Sequence, residues 1–322
     1  MSKYTFTILI LFFFTAAIVK AQTPDAAKST KTATAKDTAS KSDTVKNKKS
    51  SLKIGLTYSS NSVYLARTDS IATPNYGLGI TYTLKSGIYF SGEVNYIPSR
   101  QYDRLDAGNL EAGYNFDLDN LSGGVSISKY IASFNSTQVI SAIDATVGAE
   151  LSYDLFDVVT ASVHGDYALV KSDGNDIIIT GGLSHEFEFE KVFTKGGHLS
   201  IEPKAELTAG TQNFLSSYYV LKRNSAAKRQ QHQNANAKGL TKAASTSTSS
   251  SKTTSVTSNS NKFQTLAYDF SLPVSYSWKK FGVSFTPAYA IAVHKITDDG
   301  STTSYLPNSS VFYFQVGVSY TF

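Results

Sequence analysis

The sequence contains no cysteine, so neither a disulfide nor a thiolate metal ligand can hold this fold together. Its five histidines are scattered and form no metal-ligand motif, and the chain has no glycine-rich loop of the kind that cradles a phosphate. We therefore expect no metal and no cofactor. Methionine and tryptophan occur once each, against 20 tyrosines and 19 phenylalanines, and this balance favours strands over helices.

Long hydrophobic runs are also missing, with one exception at the start of the chain. An apolar run extends from Tyr4 to Val19, after Lys3 and before the small residue Ala21. It is shorter than the roughly 18 residues that suggest a membrane-spanning helix. A charged start, an apolar centre and a small residue at the cleavage site predict a secretory signal peptide over residues 1–21. An uncleaved anchor is the alternative.

The formal net charge of +5 is unevenly distributed. Residues 22–50 contain seven Lys and three Asp, and residues 222–262 contain eight Lys or Arg and no acid. Outside these two segments and the signal peptide, 22 acidic residues outnumber 13 basic ones. An acidic body with basic appendages argues against nucleic-acid binding, which needs a basic surface on the fold itself.

The two basic segments are also poor in large apolar side chains. Residues 22–50 have only Val45, which predicts a disordered tail because such a segment cannot bury a core. The second basic segment belongs to a long Ser/Thr-rich connection at about 212–263. This connection either contacts an anionic polymer of the cell surface through its charge, or is a solvated insertion with no specific partner.

Between these segments the sequence alternates with a period of two, which places successive side chains on opposite faces of a strand. In the segment from 75 to 84, for example, Tyr76, Leu78, Ile80 and Tyr82 share one face. Aromatic residues gather near the segment ends. Twelve segments of this kind are predicted, at about 52–59, 75–84, 88–97, 105–117, 121–131, 142–153, 158–168, 177–190, 198–211, 264–278, 281–294 and 311–322.

The connections between these segments alternate in length. They are mostly short after even-numbered strands, as in Lys279-Lys280, and longer after odd-numbered strands, as in 60–74. Membrane barrels have short periplasmic turns, longer outer loops and aromatic girdles. Since twelve is even, both chain ends are expected on the periplasmic side.

The last strand ends the chain, and its apolar face is unbroken. Phe312, Phe314, Val316, Val318, Tyr320 and Phe322 share one face, while the other face is small or polar except at Tyr313 and Val311. This strand resembles the signal that Gram-negative outer-membrane β-barrel proteins present to the barrel-assembly machinery. The resemblance covers about 51–322, apart from the long loop, and concerns the general class. It implies a cell outer membrane location, contact with outer-membrane lipid, and an assembly role for Phe314, Val316, Val318, Tyr320 and Phe322.

The predicted fold is therefore all-β, a transmembrane antiparallel up-and-down barrel of about 12 strands over 51–322, preceded by a disordered periplasmic tail. In lipid every backbone polar group must be paired internally, so the sheet has to close and the last strand has to pair with the first. Pro203, Pro273 and Pro287 fall inside strands, where we expect bulges. A soluble sandwich is the alternative fold, but the opposite strand faces are too polar to form its second apolar layer.

The predicted inward faces collect acidic residues, with Lys53, Lys204, His164 and His294 as the basic side chains among them. Either they line a cation-favouring solute path, or hydrogen bonds and ion pairs close a narrow interior. Glu186, Glu188, Glu202 and Glu206 are expected to form one acidic patch. The predicted lumen residues are Glu93, Glu111, Asp144, Glu150, Asp166, Glu186, Glu188, Glu202, Lys204, Glu206 and Asp269.

Three functions remain open at this point. The first is passive transport of small solutes, and the second is a non-conducting surface or structural barrel that uses its loops for interaction. The third is lipid hydrolysis, suggested by His164 beside Asp166 and by His185, whose parity directs it at lipid. No nucleophile motif accompanies these histidines, so we expect a protein that is not an enzyme.

Overall fold

The computed structural model describes residues 49–68, 72–98, 105–133, 136, 138–156, 158–171, 174–221, 260–293 and 310–322. The predicted signal peptide, nearly all of the predicted tail, most of the long loop and His294 lie outside the described residues.

Fifteen strands form one antiparallel sheet, in which each strand pairs with a neighbour on both sides or continues another strand. The strands are β1 Ser51–Ser59, β2 Asn75–Thr83, β3 Ile88–Tyr96, β4 Leu105–Leu118, β5 Leu121–Ala132, β6 Ile143–Leu155, β7 Val159–Val170, β8 Asp176–Ser184, β9 Phe187–Glu190, β10 Gly197–Ile201, β11 Lys204–Gly210, β12 Gln264–Ser271, β13 Val274–Trp278, β14 Phe281–Ala292 and β15 Ser310–Thr321.

These strands make a closed barrel of twelve staves, where a stave is either one continuous strand or two half-strands in line with each other. Three staves are interrupted, so that β8 and β9, β10 and β11, and β12 and β13 are each two halves of one stave. The barrel closes where β1 pairs with β15, from Lys53 opposite Thr321 to Ser59 opposite Gln315. The backbone N–H of Phe322 extends this seam by donating to the carbonyl of Leu52 at 2.8 Å. The predicted twelve-stranded antiparallel barrel is confirmed.

The expectation of bulges at the prolines is wrong. Register continues across all three sites. Each proline instead belongs to a cross-strand pair with one backbone hydrogen bond in place of two. The backbone N–H groups of His185, Glu202 and Leu272 donate to the carbonyls of Pro203, Pro273 and Pro287, at 3.2, 2.9 and 3.0 Å. None of the prolines can return the bond, because proline has no N–H. The register shifts lie elsewhere, between Asn95 and Tyr96, Ile143 and Ala145, and Thr208 and Ala209.

The outer face of the barrel is apolar. On β2, Tyr76, Leu78, Ile80 and Tyr82 are each exposed by more than 40%. Other large apolar side chains extend this surface around the sheet, whereas the inner faces carry Ser, Thr, Gly, Asn and acidic residues. Such an inside-out distribution is typical of a barrel surrounded by lipid. Among the residues that the structure describes, no helix is long and apolar enough to cross a membrane.

Aromatic side chains mark both ends of the barrel wall. At the end where β1 begins and β15 finishes, the ring of Tyr320 packs edge-on against Phe281 at 4.8 Å and Phe322 at 4.7 Å. Toward the opposite end, Tyr58 lies 5.2 Å from Tyr76 and 6.0 Å from Phe314. The two groups match the predicted girdles. We call the end with Phe322 the lower end and the opposite end the upper end.

A compact apolar plug fills the upper end from inside. It consists of residues 62–67, the 3-10 helix Val139–Ala142 and the helix 213–221, which we call α1. Tyr64 packs edge-on against Phe214 at 4.4 Å, and both rings are fully buried. Burying a large apolar side chain stabilises a fold by about 1.5–3 kcal/mol. The barrel wall provides space with small inward side chains, namely Ala168, Ala267, Ala288, Ala290 and Ala292.

Candidate functional site

The middle of the barrel interior is organised around Glu111 on β4. Its carboxylate accepts hydrogen bonds from the hydroxyl of Tyr89 at 2.5 Å and from that of Ser128 at 2.6 Å, and the side chain is buried. The Tyr89 ring reaches Glu111 by crossing over Gly113, where a β-carbon would lie 2.6 Å from the ring. The glycine is therefore required for this contact.

A second acidic group lies next to it, on β6 and β7. His164 Nε2 contacts Asp166 Oδ2 at 2.8 Å, and both side chains are almost inaccessible to solvent. Glu150 lies directly opposite His164 in the strand register. A β-carbon at Gly148 would lie 2.7 Å from Asp166 Oδ1, so this glycine leaves room for the carboxylate.

A third group is formed by β11 and β12. Lys204 Nζ lies 2.8 Å from Glu206 Oε1, and Asp269 lies opposite Glu206 in the register. One lysine thus faces two inward carboxylates. On the other side of the barrel, Glu93 extends over Gly77 and Gly79 of β2.

The remaining predicted acids lie toward the lower end. Glu186 accepts a hydrogen bond from Ser200 at 2.6 Å and is exposed, as is Glu188, which lies opposite Ser200. Glu202 is partly buried beside the interruption at Pro203. The four predicted patch residues are therefore divided, because Glu206 is deeper in the barrel with Lys204 while Glu186 and Glu188 are at the mouth.

Asp144 is not part of the interior, contrary to the sequence-based assignment. Its carboxylate pairs with Lys129 at 2.5 Å, and both side chains are about half exposed. Lys129 belongs to the outward face of β5, since Ser128 and Tyr130 beside it are buried. The register shift between Ile143 and Ala145 inserts Asp144 as an extra residue, and a bulge of this kind reverses side-chain parity.

Residues of the first two groups line a small cavity of about 60 Å³. Its wall includes Glu111, Glu150, His164, Tyr89 and Asn115. A water molecule occupies about 30 Å³ of liquid, so this space suits a few waters or a small ion rather than a sugar. The cavity lies below the plug.

Asp176 holds the plug in place and was missed by sequence reasoning. This buried carboxylate on β8 accepts the backbone N–H groups of Asn213 and Phe214 at 2.7 Å each, and the Thr211 hydroxyl at 2.7 Å. It therefore caps the N-terminus of α1, where the first N–H groups have no helical partner. The sequence signal was the cluster Phe214, Leu215 and Tyr218 directly after a strand.

Arg67 closes the first plug segment. Its backbone and that of Tyr64 exchange two hydrogen bonds, of 2.7 and 2.6 Å. Burial lowers the pKa of the Arg67 guanidinium, and the nearby Tyr219 phenol opposes that shift.

The predicted assembly residues lie on the outer face of β15. Val318 and Phe322 are well exposed, while Phe314, Val316 and Tyr320 are partly covered by neighbouring rings and side chains. Also on the outer wall, His185 contacts the carbonyl of Val158 and packs against the Phe187 ring. Within the described residues, no group of three or more His, Cys, Asp or Glu is arranged to hold a metal.

No protein-family model and no curated protein matches this chain. Among solved structures, it is similar to a KdgM porin, with 10% identity and a TM-score of 0.43, covering 84% of this chain and 99% of that one. LpxR from Salmonella typhimurium has 11% identity, a TM-score of 0.43 and the same coverage. A NanC porin has 11% identity and a TM-score of 0.41, covering 84% and 98%. With scores this low, assignment to the outer-membrane β-barrel class rests on the closed sheet and its apolar outer face.

Proposed function

We propose that this outer-membrane-type barrel resides in the cell outer membrane and works as a passive channel for small solutes, with a preference for cations. The observation that carries the proposal is the polar interior, in which Glu111 and Glu150 line a cavity below the plug and Asp166 lies against His164 in the cavity wall. A passage lined by one sign of charge attracts ions of the opposite sign. Lys204 and His164 offset only part of this negative charge.

The plug limits how such a channel operates. Solutes entering from the lower end meet the packed side chains of Tyr64 and Phe214, so continuous passage requires the plug to move. We therefore expect brief openings of low conductance rather than a steady large current.

Planar-bilayer recording of the refolded full chain tests this proposal. In a KCl gradient, the reversal potential should report cation preference. Glu150→Gln should reduce that preference, because it removes a cavity charge without changing side-chain size. Asp119→Asn is the matched control. Asp119 lies in an exposed turn with a positive φ of 46°, a conformation that Asn tolerates. The cation preference of this variant should therefore equal that of the wild type. Anion selectivity, or equal reversal potentials for all three proteins, would refute the charge argument.

The alternative is a non-conducting surface or structural barrel, favoured by the close packing of the plug. A bilayer that stays silent over a wide voltage range would support it. In that case the basic loop around 222–262 would be the functional element, and it should bind an anionic cell-surface polymer with an affinity that falls as salt rises.

We also propose that the outward face of β15 binds the barrel-assembly machinery. We propose that the protein is not an enzyme, and that the contact between His164 and Asp166 contributes to the charge balance of the interior.

A further inference from the structure

A cluster of oxygen atoms lies inside the barrel beneath the plug, away from the cavity described above. A β-carbon at Gly77 would lie 2.5 Å from Thr57 Oγ1, 2.6 Å from Glu93 Oε1 and 3.2 Å from Asn95 Oδ1. Three side-chain oxygens, one from β1 and two from β3, thus converge above a residue that has no side chain. Asn109 on β4 lies directly opposite Glu93.

The Thr57 hydroxyl donates a long hydrogen bond of 3.4 Å to the Gly77 carbonyl, and Asn95 lies beside Glu93, but several buried polar atoms of this cluster lack a hydrogen bond of normal geometry within the described residues. Asn95 is completely inaccessible to solvent, and neither atom of its amide makes a hydrogen bond of normal geometry within the described residues. The same holds for Glu93 Oε1 and Asn109 Oδ1 within that part of the chain. A buried donor or acceptor left unpaired costs about 1–3 kcal/mol, and a buried charge costs more. Three of these atoms are oxygens, on Glu93, Asn95 and the register neighbour Asn109, and they indicate a ligand that oxygen atoms bind.

Charge defines the ligand further. Glu93 brings one carboxylate, and no lysine or arginine of the described residues forms an ion pair with it. Carboxylate, amide and hydroxyl oxygens are ligands for hard cations, and divalent ions usually draw several carboxylates. A single positive charge balances a single Glu93. We propose that Thr57, Glu93, Asn95 and Asn109 form a binding site for a small monovalent cation, such as potassium or sodium.

The glycines explain why the site can exist. At Gly77 a methyl group would occupy the space between the oxygens and force these flexible side chains apart. At Gly79, two residues along the same inward face, a β-carbon would lie 4.0 Å from Glu93 Oε2, which is an ordinary contact. Gly77→Ala should therefore abolish the site, and Gly79→Ala is a matched control that should keep it.

Thermal unfolding of the refolded full chain is the first test. A ligand that binds only the folded state raises Tm as its concentration rises. In KCl, compared with N-methylglucamine chloride at equal ionic strength, we expect Tm to rise by about 2 °C or more for wild type and Gly79→Ala. Glu93→Gln and Gly77→Ala should lose that difference while remaining folded by circular dichroism. Because the surface is the same in all variants, general salt effects cancel.

Crystals soaked in rubidium chloride give the second test, since rubidium replaces potassium and scatters anomalously. An anomalous peak between Thr57, Glu93 and Asn95 in wild type, absent in Gly77→Ala, is the expected result. Equal Tm values in the two salts, or density that refines as water only, would overturn the site and assign a proton to Glu93. Both measurements are independent of conduction. A silent barrel that binds rubidium would refute only the channel, and a conducting barrel without the peak would refute only the site.

Discussion

At the scale of single residues, the interior depends on glycines that leave room for longer neighbours. Gly113 lets the Tyr89 ring pass over β4 to reach Glu111, and Gly148 accommodates Asp166. These contacts satisfy buried carboxylates, which would otherwise be costly inside a barrel. The alternation along each strand selects which residues face inward, but the glycines decide which of them can touch.

Gly113→Ala should therefore destabilise the barrel. The added methyl group displaces Tyr89, and Glu111 loses a hydrogen-bond donor, which we expect to cost about 1–3 kcal/mol. Urea unfolding of the refolded protein measures this as a lower midpoint. Gly165→Ala serves as the control, because nothing lies within 4 Å of its β-carbon. Equal midpoints for the two variants would show that the contact between Tyr89 and Glu111 contributes nothing.

At the scale of elements, two carboxylates of the barrel wall attach the plug to it. Asp176 caps α1, while Asp106 accepts hydrogen bonds from Ser136 at 3.0 Å and from Gln138 at 2.8 Å, next to the 3-10 helix. Both carboxylates sit at the upper end of their strands. The plug segments therefore have identifiable attachment points.

Asp176→Ala should loosen α1 and open the upper end. It removes the acceptor of two backbone N–H groups and one hydroxyl, and hydrogen bonds to a charged group contribute about 1.5–3 kcal/mol. The chain has no cysteine, so a single Ser217→Cys, at a fully buried position of α1, can report exposure through its rate of maleimide labelling. We expect labelling to be at least about tenfold faster with Asp176→Ala, since 1.4 kcal/mol corresponds to a factor of ten.

The graded variant Asp176→Asn should give an intermediate rate, because an amide oxygen can accept one of these bonds. Labelling that is equally slow in all three backgrounds would mean that apolar packing alone holds α1. If the barrel conducts, the faster-labelled variant should also show longer openings.

At the scale of the whole molecule, closure of the sheet is the decisive feature. The pairing of β1 with β15 closes the sheet, which meets the requirement that backbone polar groups in lipid be paired internally. On the outer side of this seam, Tyr320 packs between Phe281 and Phe322.

Replacing Tyr320 and Phe322 by Ser should lower the amount of protein in the outer membrane and leave unassembled chain in the periplasm. The substitutions remove the aromatic contacts at the seam. They also remove part of the outward apolar face that we propose the assembly machinery binds. Cell fractionation followed by immunoblotting gives the ratio. Ser319→Ala, on the inward face of the same strand, should assemble normally. Wild-type levels of the double variant would refute the assembly role.

The alternation of apolar and polar residues was sufficient to predict the strands of the barrel wall. It was insufficient to predict the contacts inside the barrel. Each predicted segment agrees with a stave to within about two residues at either end, because the period of two is a property of neighbouring residues. Asp144 was misplaced because a bulge reverses parity without any mark in the alternation. Three staves are interrupted at or opposite the prolines without a shift of register, since the backbone N–H groups of His185, Glu202 and Leu272 still donate to the proline carbonyls.

The number of strands, their inward and outward faces and the closure of the sheet follow from the amino-acid pattern alone, since alternation and the backbone's need for partners are independent of loop positions. The filling of the upper end is a property of the three-dimensional packing. The signal was present in Tyr313 and Val311, apolar residues on an otherwise polar inward face, but the plug residues that belong to the same buried cluster are distant in the chain. The convergence of Thr57, Glu93 and Asn95 above Gly77 likewise arises from register between three strands, which no single strand encodes.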